Sequence, residues 1–308
     1  MGLRRFLASI ALAVLVAPAY AQEYPSRPIE FIVPWGPGGG ADQVARKAAK
    51  IMEPLLKVSI PVINVAGATG VTGLNKMLTA EADGYTMSIM TGDTFGMLAS
   101  TQPKWGLDDF VPLAIMIRQP SALFVAEGGK YKTWADVEAA AKAGPLKVAI
   151  TGFGSPDDMT VNFFNKKGLK FVSVPFPRPG ERYSAILGGH ADILYEQLGD
   201  VRSFLDGKQM RPVLIFATER FKAFPDIPVS KELGHDIILP QFRMVTVKTG
   251  TDPNQAKKLA SALEVVAKDP EYVAYLEEQY ADSNSYIGGS AARKFLEDEL
   301  AAMKALLK

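Results

Sequence analysis

The sequence predicts an α/β protein of two lobes with a hinged cleft between them. Three observations carry this expectation. Short apolar runs alternate with amphipathic stretches, the mark of βαβ units. The pattern restarts after residues 121–125. The chain then closes with three helical stretches, 253–267, 271–279 and 290–307, which have no strands of their own to cover. That helical block must pack back on the first lobe, so the chain crosses between lobes twice, near residues 123–125 and 241–245. The expected division is residues 22–123 with 246–308 as lobe one, and 124–245 as lobe two. Two lobes joined by two extended segments leave a cleft that closes on a ligand by hinge motion.

In order, residues 29–33 read as a buried strand that feeds a helix bearing Val44, Ala48, Ile51, Met52 and Leu55 on one face. Residues 62–64 and 85–90 are further strands, around a helix over 70–79, and Asp83-Gly84 is a turn. Residues 111–117 make a fourth strand. In the second lobe Thr133-x-x-Asp136 is a capping-box variant that opens a helix to Ala143. Strands over 147–150, 171–174, 192–195 and 213–216 alternate with helices over 157–165, 180–187 and 198–205. Residues 244–248 return as a strand.

The start of the chain is an address. Arg4 and Arg5 precede an apolar run from Phe6 to Val16, and Ala19-Tyr20-Ala21 is a small-x-small cleavage pattern. The run is too short to span a bilayer, which needs about 20 residues. Residues 1–21 are therefore expected to be a signal peptide, and the mature protein to be periplasmic and soluble. Cleavage would remove two of the 34 basic residues and none of the 33 acids, leaving a net charge of −1. That balance offers no footprint for nucleic acid or anionic lipid. There is no Cys and there are two His, so thiolate chemistry and a His-based metal site are not expected. No cofactor is expected either.

Candidate ligand loops fall where strands feed helices. Trp35-Gly36-Pro37-Gly38-Gly39-Gly40-Ala41-Asp42 follows the first strand. Glycine there lets the backbone approach a ligand, and the first free N–H groups and dipole of a helix favour an anion. No Gly-Lys-Ser/Thr follows and Gly-x-Gly-x-x-Gly spacing is absent, so it is not a nucleotide loop. As a bare glycine cluster it reads equally as an anion site or as a tight turn, with Asp42 serving only the helix start. Thr91-Gly92-Asp93-Thr94 and Thr151-Gly152-Phe153-Gly154-Ser155 occupy comparable places, each with hydroxyls and amides at the carboxyl end of a strand. From these loops Trp35, Gly38, Gly39, Gly40, Asp42, Thr91, Asp93, Thr94, Thr151, Gly152, Gly154 and Ser155 are the expected ligand-binding residues.

Those same residues resemble a known family. Tyr24-Pro25-Ser26-Arg27-Pro28-Ile29 and the segment from Ile32 to Asp42 resemble the opening of the solute-binding receptors of tripartite tricarboxylate transporters, the Bug-type receptors. The resemblance continues at Ala82-Asp83-Gly84-Tyr85-Thr86, at Val174-Pro175-Phe176, from Ala185 to Ile193, and at Phe224-Pro225-Asp226-Ile227-Pro228. It covers most of the chain, in order. It implies a type II periplasmic binding protein fold and a ligand that is a small organic carboxylate: a di- or tricarboxylate, an amino-acid-like acid or an aromatic acid. It also implies delivery to membrane transporter subunits, and a ligand held by backbone amides and ordered waters from the loop at residues 35–42 and from lobe two. We expect a monomer.

The departures from the family pattern bear on the ligand. Pro177-Arg178-Pro179 stands where the family often has Lys-Gly-Gly, so Arg178 is expected to clamp a second carboxylate, against the alternative of a solvated loop charge. Glu196 is expected to meet an ammonium or hydroxyl, or else to pair with an Arg of its own lobe. Arg243 falls near the second crossing and reads as either a cleft residue or a hinge surface residue. Two rival functions remain at this stage. A periplasmic co-sensor for a receptor kinase would have the same cleft. A hydrolase built on Ser155 lacks the Gly-x-Ser-x-Gly elbow and is disfavoured.

Overall fold

The structure, a computed structural model, describes residues 23–307 except 102, 282 and 283. The expected signal peptide lies outside the described residues. Two sheets form two lobes. The first holds β1 (Glu30–Val33), β2 (Val62–Asn64), β3 (Thr86–Thr91), β4 (Phe110–Gln119), β10 (Gln241–Lys248) and β11 (Ile287–Gly288). Its order is β11-β4-β10-β3-β1-β2. The second holds β5 (Ser121–Ala126), β6 (Leu146–Ile150), β7 (Phe171–Pro175), β8 (Ile193–Gln197) and β9 (Met210–Ile215), ordered β7-β6-β8-β5-β9.

The sheets repeat one plan. In each, a central strand pairs in parallel with two others, β1 with β2 and β3, and β6 with β7 and β8. In each, the neighbouring strand that carries the chain across, β10 or β5, runs antiparallel. The turn after β8 is therefore the lobe-two counterpart of the turn after β3. Loops after the parallel strands share one end of each sheet, where ligands of open α/β sheets bind.

The sheet changes between Gln119 and Ser121, and again ahead of Gln241, so a proline, Pro120 or Pro240, stands at each crossing. The crossings expected at 123–125 and 241–245 fall inside β5 and β10. Apolar alternation continues through both strands and gives no local break, whereas proline, with no N–H to give, marks where the ladder stops.

Helix α1 (Gly40–Leu56) buries Val44, Ala45, Ala48, Ala49, Met52 and Leu56, while Leu55 is exposed. The buried stripe is thus turned from the expected one, with paired alanines letting the helix sit close to the sheet. It packs beside α8 (Pro253–Lys268), which lies on β4 and leads into α9 (Pro270–Glu278). The opposite face of this sheet carries α2 (Val71–Thr79), α3 (Gly92–Ser100) and α10 (Ser290–Leu307). The terminal helices do pack on the first lobe, and α10 also reaches α5 (Pro156–Lys166) of the second. Lobe two adds α4 (Trp134–Ala143), α6 (Pro179–Leu187) and α7 (Arg202–Asp206). The capping box of α4 is present. Asp136 N donates to Thr133 Oγ1 at 3.2 Å, and Thr133 N donates to Asp136 Oδ2 at 3.0 Å.

Candidate functional site

The N-termini of α1, α3 and α6 converge on one small cavity between the lobes. It is lined by Trp35, Gly39, Gly40 and Ala41 of the first loop, by Thr91 and Asp93 at the head of α3, and by Arg243 of β10. Lobe two supplies Thr151, Pro179, Arg182, Tyr183, Glu196, Gln197 and Asp200. The cavity measures about 30 Å³, room for one or two waters.

Each side of the cavity is fixed by its own local chemistry. Trp35 is buried, and its Nε1 donates to Thr91 Oγ1 at 3.1 Å, tying the first loop to the head of α3. Gly38 takes a φ of +85°, which turns the chain into α1. Asp42 holds that turn from behind. Its carboxylate accepts from Gly38 N at 3.0 Å, Arg46 Nε at 2.9 Å and Asn64 Nδ2 at 3.0 Å. Burial opposes ionisation of Asp42, yet these bonds outweigh it and hold the carboxyl below its ordinary pKa. The first-turn amides of α1 have no partner within the helix, as in any helix, and they head the cavity.

Thr91 caps α3, accepting from Thr94 N at 3.4 Å. Asp93 in the first turn is buried; it accepts from Gln241 Nε2 at 2.6 Å, and its Oδ1 lies 3.5 Å across the cleft from Thr151 Oγ1. Asp157 accepts from Thr151 N and Oγ1, each at 2.8 Å. Burial raises both carboxyls. Glu196 adds to the rise at Asp93, and Asp93 adds to the rise at Asp157, whose carboxyl stands well above the ordinary range.

Two buried guanidiniums face this acidic set. Arg182, inside α6, pairs with Glu196 and donates to Phe176 O at 3.0 Å. Arg243 pairs across the cleft with Asp200, and also donates to Gln119 and, at 3.4 Å, to Gln197 Oε1. Burial works against both cations, but Glu196 and Asp200 keep each firmly protonated. Asp200 is raised to about 6 by burial, which Arg243 only partly offsets, with Glu196 adding to the rise. The Nε atoms of Arg182 and Arg243 have no hydrogen-bond partner among the described residues.

Of the residues expected from sequence, Trp35, Gly39, Gly40, Thr91, Asp93, Thr151 and Glu196 line the cavity. Glu196 takes the second of its two readings, pairing with an Arg of its own lobe. Gly38 and Asp42 shape the loop from outside. Thr94 is buried beside Thr91, with 3.5 Å between their hydroxyls. Gly152, Gly154 and Ser155 stand to one side of the cavity. Ser155 caps α5 and donates to Gly152 O at 2.7 Å, while Ser100 Oγ of the other lobe donates to Gly154 O at 2.8 Å.

Arg178, the expected clamp, does not line the cavity. Arg178 precedes α6 at the rim of the cleft, where a Cβ on Gly36 would lie 3.6 Å from its Cγ. Its guanidinium points outward, 70% exposed, and pairs with Glu181 at 2.9 Å. Arg182, four residues on, is the guanidinium that faces inward. Arg182, Gln197 and Asp200 also line the cavity, though none is among the residues expected from sequence to bind the ligand. The repeated sheet plan is the signal that finds Asp200, since it sits after β8 as Asp93 sits after β3. Buried Arg243 settles as a cleft residue. Among the described residues no cluster of acids and His could hold a metal, and no helix is long and apolar enough to cross a membrane.

Comparison with known proteins agrees with this architecture. BugT of Bordetella pertussis is 31% identical over 266 residues, covering 82% of this chain and 81% of that protein. The structure of MatC from Rhodopseudomonas palustris with bound malate matches with a TM-score of 0.84 at 22% identity, covering 92% of this chain and all of that one. Another R. palustris protein, solved with adipate, matches with a TM-score of 0.82 at 21% identity, covering 92% and 97%. The fold is that of two-lobed periplasmic binding proteins. The family described as tripartite tricarboxylate transporter family receptor matches residues 44–308. The chain belongs to that family of solute-binding receptors.

Proposed function

We propose that the protein is a periplasmic receptor that captures a small organic carboxylate in the cleft and delivers it to a tripartite membrane transporter. The observation that carries this reading is the meeting, in one interlobe cavity, of the amide-bearing head of α1 with two buried guanidiniums, Arg182 and Arg243. Helix N-termini attract anions, and guanidinium matches carboxylate in geometry as well as charge. The unpartnered Nε atoms leave donor capacity for an incoming acid. The relatives solved with malate and adipate point to the same ligand class.

The cavity is far smaller than the 300–1,000 Å³ typical of ligand pockets. Admission of a dicarboxylate therefore requires the lobes to part about the segments at Pro120 and Pro240. The polar work of the site is binding, with no group needed to act on the ligand. A thermal-shift screen against di-, tri- and aromatic carboxylates tests the reading. An acid present at 100 times its Kd should stabilise the protein by about 2.7 kcal/mol. Stabilisation only by sugars, or by free amines without a carboxylate, would overturn it.

A further inference from the structure

We propose that Asp200 is a built-in stand-in for the ligand's carboxylate, pairing with Arg243 across the cleft and holding it shut until an acid takes its place. The inference rests on the carboxylate reading above and deepens it. Three observations support it. First, the pair joins lobe two to lobe one, so parting the lobes must separate it. The other buried pair, Arg182 with Glu196, lies wholly within lobe two and is indifferent to opening.

Second, the pair sits in the path of the anion site. A Cβ on Gly40, at the head of α1, would collide with both the Arg243 guanidinium and an Asp200 oxygen. The side chain thus holds its carboxylate against the very helix terminus that favours an anion. Third, the volume beside it admits one or two waters and no dicarboxylate, so the cleft as closed on this pair has no room for a bound acid. A protein that closes on its own carboxylate presents only a fraction of its molecules to the ligand, and apparent affinity falls by that fraction.

Proton uptake by Asp200 should loosen the latch. The groups facing it are Arg243 on β10, Glu196 on β8, Arg182 and Tyr183 on α6, Asp93 at the head of α3 and Tyr275 on α9. Burial and Glu196 raise its carboxyl to about 6 against the pull of Arg243. Ionised Asp200 holds Arg243 above that pH, and protonated Asp200 releases it below.

The experiment compares wild type with Asp200→Asn, and with Asp200→Ser in case the amide keeps the hydrogen bond. Scattering without added acid reads the lobe separation. Calorimetry at pH 8 and pH 5 reads affinity, with malate, adipate, citrate, glutamate and benzoate as probes. Both variants should have a larger radius of gyration than wild type without acid. They should bind the acid that wild type binds about tenfold more tightly at pH 8, with the advantage shrinking at pH 5. Equal radii, or affinity equal to or weaker than wild type at pH 8, would overturn the proposal while leaving carboxylate binding intact. Binding of none of the acids by any form would overturn the carboxylate reading, and the stand-in role with it.

Discussion

Gly39, the residue capping α1 in lobe one, lies so close beneath Pro179 of lobe two that a Cβ on it would stand 2.7 Å from Cγ of the proline ring. The backbone there is extended, with a φ of −78° that any residue adopts. Glycine is therefore needed for the close approach of the lobes and not for its conformational freedom. Gly39→Ala should leave the fold intact and hinder closure. Overpacking of this kind costs roughly 1–3 kcal/mol, or about fivefold to 150-fold in affinity. Calorimetry should show the loss for every acid that the wild type binds, and scattering should show a larger radius in the saturated variant.

A second set of contacts should favour closure directly, as closing bonds. Ser100 Oγ donates to Gly154 O at 2.8 Å, and Thr69 Oγ1 donates to Phe153 O at 3.3 Å, both across the lobes. A neutral hydrogen bond contributes about 1 kcal/mol net. Ser100→Ala and Thr69→Ala should each weaken ligand binding about fivefold through faster dissociation, with melting temperature almost unchanged. Stopped-flow displacement measures the rate.

The Arg182–Glu196 pair is buried at both ends. Arg182→Leu should destabilise the protein by roughly 3–5 kcal/mol, because Glu196 is left buried without its cation. Replacing both with leucine should recover much of that loss. Urea denaturation of the two single variants and the double variant, at pH 7, checks the cycle.

Asp42 gives a pH signature. Its folded pKa lies below the ordinary value, since the bonds from Arg46, Gly38 and Asn64 outweigh burial. A depressed carboxyl stabilises the fold above its unfolded pKa, and that stability is lost as pH falls through the folded value. Asp42→Asn should therefore be less stable than wild type by about 1–2 kcal/mol near pH 7, and the two should converge as pH falls through the folded value of Asp42. Denaturation midpoints from pH 2 to pH 7 test this.

How far the sequence carried the fold and the site depends on the kind of signal. The strands and the two lobes were legible because apolar runs recur at regular intervals, and the loop at residues 35–42 stood out by its glycines. Helix α3 was not legible. Gly92 and Gly96 are weak helix formers, so Thr91-Gly92-Asp93-Thr94 reads as a ligand loop with no helix behind it, although Thr91 in fact caps a helix. Arg178 and Arg182 illustrate a different limit. Both follow the same strand, and only the register of α6, started by Pro179, decides which turns inward. Partners distant in sequence, such as Asp200 and Arg243, meet only once both sheets are built.

The measurement that bears most directly on the central claim is a crystal structure of the complex with whichever organic acid stabilises the protein in solution. The account predicts the acid between the lobes, one carboxylate within hydrogen-bond distance of the amides at residues 39–41 or of Arg243, and Asp200 withdrawn from that guanidinium. A second recess, of about 470 Å³, lies behind the hinge and is lined by Gln119, Pro120, Phe216, Lys222 and Pro240 among others. An acid bound there, with the Asp200–Arg243 pair intact, would contradict the account.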